Sequence, residues 1–379
     1  MPVIRKLQIF DQIKPRLQFG IKIATCYVST EPLWQRILII TSFISTILCF
    51  VSAVLHVIYT FQGQFTGNLA MSLMFCSGSG QVLFKSIFMR YHRKSILELL
   101  DKVKSLHNDV ENEELNYIAA KNLTKFSNIW ETCYKFGKAI IIITVFGFSI
   151  ANIVKGKSGV ILQLPLIPTD LFYFTHIMLL SQFLFLSLAA LVVFYMDICI
   201  AFFGFEIMAD SDILYDYISA KKEQIQEDPD FLKIITARYC EIVDNINRFN
   251  NIISLTNLVQ FISSAFLNFA ILFFIRSYPR NPLGYILILT VLVQLFLPCV
   301  FGEFIKIKME RLSTILYLTN WQDLSLKDQK SFLIVLGMTQ REYGLRAAGM
   351  YDVNIYTFIK IVKMATSWCA FIFTLETTN

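Results

Sequence analysis

The sequence predicts an all-α, polytopic membrane protein with seven transmembrane helices, a cytosolic N-terminus, an extracellular C-terminus and long helical extensions that form a cytosolic anchor. Three observations lead there. The 379 residues are 55% hydrophobic and only 16% charged, with a mean hydropathy of +0.55, too apolar for an ordinary soluble domain. Charge is also confined. No Asp, Glu, Lys or Arg occurs between Arg36 and Lys85, and further charge-free runs cover Ala139–Val154, Leu171–Met196, Phe249–Ile275 and Asn281–Gly302. A helix needs about 20 apolar residues to cross the hydrocarbon. Finally, only Lys155, Lys157, Arg276 and Arg280 of the 34 Lys and Arg fall in loops opposite the N-terminus. The positive-inside rule therefore keeps the N-terminus in the cytosol.

Residues 1–36 are basic and amphipathic, with apolar Ile4, Leu7, Phe10, Ile13, Leu17 and Ile21 at helical spacing and no cleavage site. A helix lying on the membrane surface is expected. The spans run Ile37–Phe61, Gly67–Met89, Phe136–Val154, Phe172–Phe203, Thr256–Arg276, Leu283–Phe304 and Val353–Leu375. Outer loops are short, the longest being Lys155 to Asp170 with Pro165 and Pro168. Inner connections are long. Tyr91–Lys135 and Glu206–Asn250 (broken at Asp228-Pro229) keep helical spacing with mixed charge, and Leu326–Leu336 is a further helical stretch. The chain thus divides into a leader (1–36), six helices with their extensions (37–304), a cytosolic anchor segment (305–352), and a seventh helix with a short outer tail (353–379).

That seventh helix differs from the rest. Lys360 and Lys363 lie at i and i+3 near its start, where a cation inside the bilayer costs about 2.5–3.5 kcal/mol unless it meets protein or water. Phe371, Thr374 and Leu375 repeat at i, i+3 and i+4 further on. The pattern predicts a helix lining something wet, with an apolar plug at its far end.

Enzymatic readings find no support. His56, His92, His107 and His176 form no metal-binding spacing, and no P-loop, GxGxxG or GxSxG string occurs; no cofactor or metal is expected. The net charge of +6 is explained by inner-leaflet lipid without nucleic acid. The eight cysteines contain no CxxC pair and none falls in an outer loop, so no structural disulfide is expected. Asn281-Pro282-Leu283-Gly284-Tyr285 matches the NPxxY string of G-protein-coupled receptors. It sits before the sixth span on the outer side rather than at the end of the seventh, so a turn opening a helix is the better reading.

The specific signal lies in the last quarter: Gln294-Leu295-Phe296, Cys299-x-Phe301-Gly302-Glu303, Tyr317-Leu318-Thr319-Asn320-Trp321, Ala347-Ala348-Gly349-Met350-Tyr351 and Ser367-Trp368-Cys369-Ala370-Phe371. This order and spacing resembles the insect odorant receptor family. The resemblance implies an odorant-gated, non-selective cation channel in the plasma membrane of olfactory sensory neuron dendrites. It implies tetramers with co-receptor subunits, the last helix of each around one pore, small volatile ligands, lipid around the chain and permeant cations within it. The long cytosolic insertion that marks the co-receptor is absent, so the chain resembles a tuning subunit. A gustatory receptor is the alternative within the superfamily, and a G-protein-coupled receptor the alternative outside it. Ser367-Trp368 and Thr374-Leu375 depart from the gustatory ending.

The resemblance places the gate at Phe371, Thr374 and Leu375, where an apolar ring closes a pore by dewetting. Lys360 and Lys363 are candidates for an inner vestibule, with snorkelling to the interface as the alternative. It also places a ligand cage between the outer halves of the second to sixth spans. By depth, the candidates are Met71, Ser72 and Phe75; Phe146, Ser149, Ile150 and Ile153; Phe174, His176, Ile177 and Met178; and Phe269 and Phe273. His176 is the candidate donor to a ligand oxygen. Glu303, Tyr317, Trp321 and Gly349 are read as a subunit anchor.

Overall fold

A computed structural model describes residues 2–28, 32–61, 66–108, 113–156, 160, 172–223, 225 and 230–378. The chain is helical almost throughout, with helices α1 (Pro2–Ala24), α2 (Leu33–Thr60), α3 (Gly67–Tyr91), α4 (Arg93–Asn108), α5 (Glu113–Lys155), α6 (Phe174–Lys221), α7 (Phe231–Ser277), α8 (Pro282–Tyr317), α9 (Leu326–Thr339) and α10 (Ile355–Thr378). Strands β1 (Arg346–Ala347) and β2 (Tyr351–Asp352) pair as a small antiparallel hairpin before α10.

All seven expected spans fall within helices to within two residues at their ends, but four of those helices outrun the membrane. Helices α5, α6, α7 and α8 hold 43, 48, 47 and 36 residues. At 1.5 Å per residue α6 reaches about 72 Å, more than twice a hydrocarbon core. Six of the seven are long and apolar enough to span by composition alone; α3 is not among them. Its Ser72, Ser77, Ser79, Gly78, Gly80 and Gln81 dilute its hydropathy because α3 packs between α2 and α7, where small and polar side chains meet neighbouring helices.

Helix ends follow local chemistry. The Thr66 hydroxyl accepts from Leu69 N at 3.2 Å to open α3. Asn281 Oδ1 accepts from Leu283 N at 3.1 Å with Pro282 in the first turn of α8. The Asn-Pro string is therefore a helix cap, as expected from its position. The expected break at Asp228-Pro229 and the loop with Pro165 and Pro168 lie outside the described residues.

The leader differs from expectation. Instead of laying its apolar face on lipid, α1 buries Phe10, Ile13, Leu17 and Ile21 against α4, α5 and α6. The same periodicity serves either partner; protein wins because α5 and α6 project beyond the membrane and present an apolar groove. Arg16 secures the seat through Glu131 at 2.9 Å, and that hydrogen bond holds the Glu131 carboxyl below the usual carboxylate range. Around α1, the extensions build one large core including Trp130, Phe202, Tyr217, Phe231, Tyr239 and Phe332. Trp130 Nε1 donates to Ile198 O at 3.2 Å, so even this ring's polar atom is satisfied. Asp244, bridged to Lys102 and, at 3.0 Å, to Arg248, joins α4 to α7. The hydrogen bond from Lys102, then that from Arg248, holds its carboxyl low.

Candidate ligand pocket and pore-lining helix

In the half of the bundle away from the extensions, α3, α5, α7 and α8 enclose an apolar cluster of Met71, Met74, Phe148, Leu267, Ile271, Phe274 and Leu283, with Phe75 and Leu186 against it. Phe75 and Phe148 are tilted rings 5.1 Å apart. Met71 and Phe75 were expected here, and Ser72 and Ser149 are buried at the same level, the Ser149 hydroxyl donating to Val145 O at 2.7 Å. Met178 is fully buried and Phe174 half-buried. Phe146, Ile150 and Ile153 are instead exposed at 53%, 59% and 61%, and His176 and Ile177 also face outward. Depth selects a turn of helix, whereas the face is set by packing. On α5 the buried face is Phe148, Ser149 and Asn152, and the three expected residues lie opposite.

Asn152 is the residue that sequence reasoning passed over. It is 1% exposed, one turn beyond Phe148, and neither its Nδ2 nor its Oδ1 has a partner. A buried amide left unpaired costs about 1–3 kcal/mol, which directs attention to it as a ligand contact. An Asn inside the charge-free run from Ala139 was the available signal.

Phe269 and Phe273 join another cluster. Phe273 packs with Ala70 of α3 and Cys369 of α10, with Phe269 and Ile372 beside them. Trp368 meets Phe266 at 5.8 Å and Phe269 at 6.5 Å. Helix α7 thus contacts the apolar cluster on one side and α10 on the other.

Helix α10 rests on α7 and α8 through Ile361, Ala365 and Cys369, a buried i, i+4, i+8 stripe. Turned away from that stripe are Tyr356, Lys360, Lys363, Ser367, Phe371 and Thr374, all exposed on the single chain. This outward face carries both lysines and three hydroxyls, those of Tyr356, Ser367 and Thr374, beside the ring of Phe371. Leu375 belongs to α10, but its side chain lies outside the described residues.

The start of α10 is fixed from α8. Glu303 Oε2 accepts from Ile355 N at 3.4 Å, placing a carboxylate at a helix N-terminus, and Asn354 Oδ1 caps Thr357 N at 2.8 Å. Beside Glu303, a Cβ added to Gly302 would lie 1.8 Å from Val353 O. Val353, expected as the first residue of the span, is instead buried extended backbone bonded to Leu345 O at 2.9 Å. The hairpin is held on α7 by Asn250 Oδ1 to Arg346 N at 2.7 Å and by Ala348 N to Ser254 O at 3.1 Å. Ala348 and Gly349 have φ of 50° and 71°, the left-handed pair that such a turn requires. Gly349 therefore serves backbone shape. The other expected anchor residues are placed separately: Trp321 stacks on Phe332 at 6.0 Å, and Tyr317 is 64% exposed.

Between this apolar cluster and the extensions lies a polar layer. Lys85 Nζ of α3 is 3.4 Å from Asp197 Oδ1 of α6, and Gln294 Nε2 of α8 donates to Asp197 Oδ2 at 3.4 Å. Gln81 donates to Gln260 of α7, which donates to Ser264 Oγ at 3.0 Å. Of these groups, Lys85, Asp197, Gln260 and Gln294 border a cavity of about 20 Å³ with Asn257 and Pro298. Pro298 cannot bond the Gln294 carbonyl one turn earlier, leaving a further acceptor in α8.

Packed spanning helices, a capped outward-facing polar helix and long extensions define a polytopic helical membrane protein. The chain belongs to the seven-transmembrane odorant receptor family, whose family model, described as 7tm Odorant receptor, matches residues 66–366. It is 28% identical over 80 residues to Odorant receptor 33b and 30% over 87 residues to Odorant receptor 82a, both of Drosophila melanogaster. These matches cover 21% and 23% of this chain and 21% and 22% of the relatives, about a fifth of each. The fold resembles that of the insect olfactory receptor OR5 from Machilis hrabei, solved alone (TM-score 0.76, covering 97% of this chain and 98% of that one) and in complex with eugenol (0.75, 98% and 99%), at 10% identity in both.

Proposed function

We propose that this chain is a tuning subunit of an odorant-gated, non-selective cation channel that assembles with co-receptor subunits in a tetramer in the plasma membrane. The observation that carries the reading is the outward face of α10, with Lys360, Lys363, Ser367, Phe371 and Thr374 turned away from the subunit's own core. Charged and hydroxyl side chains at membrane depth are costly against lipid and suit a water-filled axis between subunits. Phe371, with Leu375 one turn on, is the gate, and the lysines line the vestibule. The extension end is cytosolic. There, exposed Tyr317, Leu318, Leu326, Leu333 and Ile334 offer apolar surface for neighbouring subunits in the 305–352 anchor.

The ligand is a small volatile molecule held by Met71, Phe75, Phe148, Ile271 and Phe274, with the Asn152 amide meeting its oxygen; the fold's relative from Machilis hrabei holds eugenol. A ligand favours the open channel only by its differential affinity for the two states. Helix α7, shared by pocket and α10, and α8, which caps α10, are the routes by which that difference reaches the pore.

Co-expression with a co-receptor and a panel of volatiles tests this reading through ligand-evoked cation current. Asn152→Leu should raise the half-maximal concentration about tenfold for ligands bearing a carbonyl or hydroxyl and leave hydrocarbons unchanged. Equal responses to both ligand classes would remove Asn152 from the pocket, and absence of any volatile-evoked current would contradict the channel.

A further inference from the structure

A second cavity, of about 270 Å³, opens at the other end of the bundle, bounded by Cys26, Tyr27 and Val28 after α1, by Ile39, Ile40, Phe43 and Ile44 on α2, and by Arg90 at the end of α3. It has no place in odorant binding, since it lies at the extension end. Its walls are of two kinds. The α2 side is aliphatic and aromatic, with Ile40 and Ile44 46% and 50% exposed towards lipid. The other side is cationic. Arg90 lines it, donating at 3.5 Å to Cys26 O. The Arg93 guanidinium stacks 3.3 Å above the ring of Tyr27, another wall residue. Arg36, one turn before Ile39 and Ile40 on α2, has a buried Nε with no partner. No carboxylate lines the cavity among the described residues.

The level of the site is marked by exposed Trp34 and Tyr91, aromatic residues of the kind that collect at the membrane interface. Cys26, at φ 49°, ends α1 in a turn and lines the groove. An apolar trough open to hydrocarbon, with Arg90 in its wall, Arg93 stacked on the wall residue Tyr27 and Arg36 one turn before Ile39 and Ile40, matches one class of molecule. We infer that this groove binds an anionic phospholipid of the cytosolic leaflet, an acyl chain along Ile40, Phe43 and Ile44 and the phosphate among Arg36, Arg90 and Arg93. Guanidinium groups suit the planar, multiple hydrogen bonds a phosphate accepts. The lipid would tie the α1–α2 connection to the end of α3.

The test uses the full-length chain in nanodiscs of phosphatidylcholine, with or without phosphatidylserine, and native mass spectrometry to count retained lipid. One phosphatidylserine per chain should survive transfer, with phosphatidylcholine lost. Arg90→Gln, at an exposed side chain, should lower retention about fivefold, as loss of one arginine near an anionic surface predicts. Ile40→Trp, which fills the trough without changing charge, should lower it as well, and Lys327→Gln on α9 should not. Equal retention of both lipids, unchanged retention in Arg90→Gln and Ile40→Trp, or displacement by inorganic phosphate would each overturn the assignment. Loss with Arg90→Gln but not with Ile40→Trp would reduce it to surface attraction and overturn the groove. Variants are compared only where size-exclusion elution matches the parent chain.

Discussion

Gly302→Ala is expected to be the most damaging single methyl in the protein. The added carbon would sit 1.8 Å from the Val353 carbonyl oxygen and 2.9 Å from its carbon. Both are backbone atoms, so no side-chain rotation relieves the clash. Either α8 or the segment that leads into α10 must move, at a cost of about 3 kcal/mol, the upper part of the range for overpacking. The displaced atoms adjoin the Glu303 contact to Ile355 N, so the seat of α10 should be lost with them. The measurement is thermal melting of the purified protein together with ligand-evoked current. We expect a lower midpoint and little or no current. Gly337→Ala on exposed α9, where an added Cβ meets nothing within 4 Å, is the control and should be neutral or slightly stabilising. Equal melting and current in the two variants would contradict the close approach.

Asp197→Ala should be nearly as severe, for a different reason. It leaves the Lys85 ammonium, only 5% exposed, without its carboxylate inside the bundle. Removing one partner of a buried pair costs about 3–5 kcal/mol, whereas replacing both by apolar residues is often close to neutral. Lys85→Met combined with Asp197→Leu should therefore recover most of the stability lost in Asp197→Ala. The double-mutant cycle, read from melting midpoints, should be strongly non-additive. Additive effects would show that the pair does not act as one unit.

Much of this fold was legible because membrane helices declare themselves by charge-free length. Every expected span falls in a helix to within two residues at its ends, and Asn281-Pro282 reads correctly as a cap because capping is local chemistry. Partners were less legible. The periodicity of Phe10, Ile13, Leu17 and Ile21 specifies an apolar face but not whether lipid or α6 covers it. The same limit divides the depth-selected candidates: Met71 and Phe75 fall in the apolar cluster, while Ile150 and Ile153 share that depth on the exposed face of α5. Lys85 and Asp197 each look like interfacial charges at a span's end; only the third dimension joins them. Glu303 was grouped with Tyr317, Trp321 and Gly349 by motif alone; its contact with Ile355 N spans 52 residues and is set by the fold.

The central claim is that the outward face of α10 lines a pore closed by Phe371. The most direct measurement is steady cation current without ligand, in cells with G-protein signalling blocked, from channels containing Phe371→Ala at matched surface expression. Phe371→Ala should raise the baseline, since a smaller side chain lets water into the constriction. An unchanged baseline in both Phe371→Ala and Leu375→Ala would contradict it.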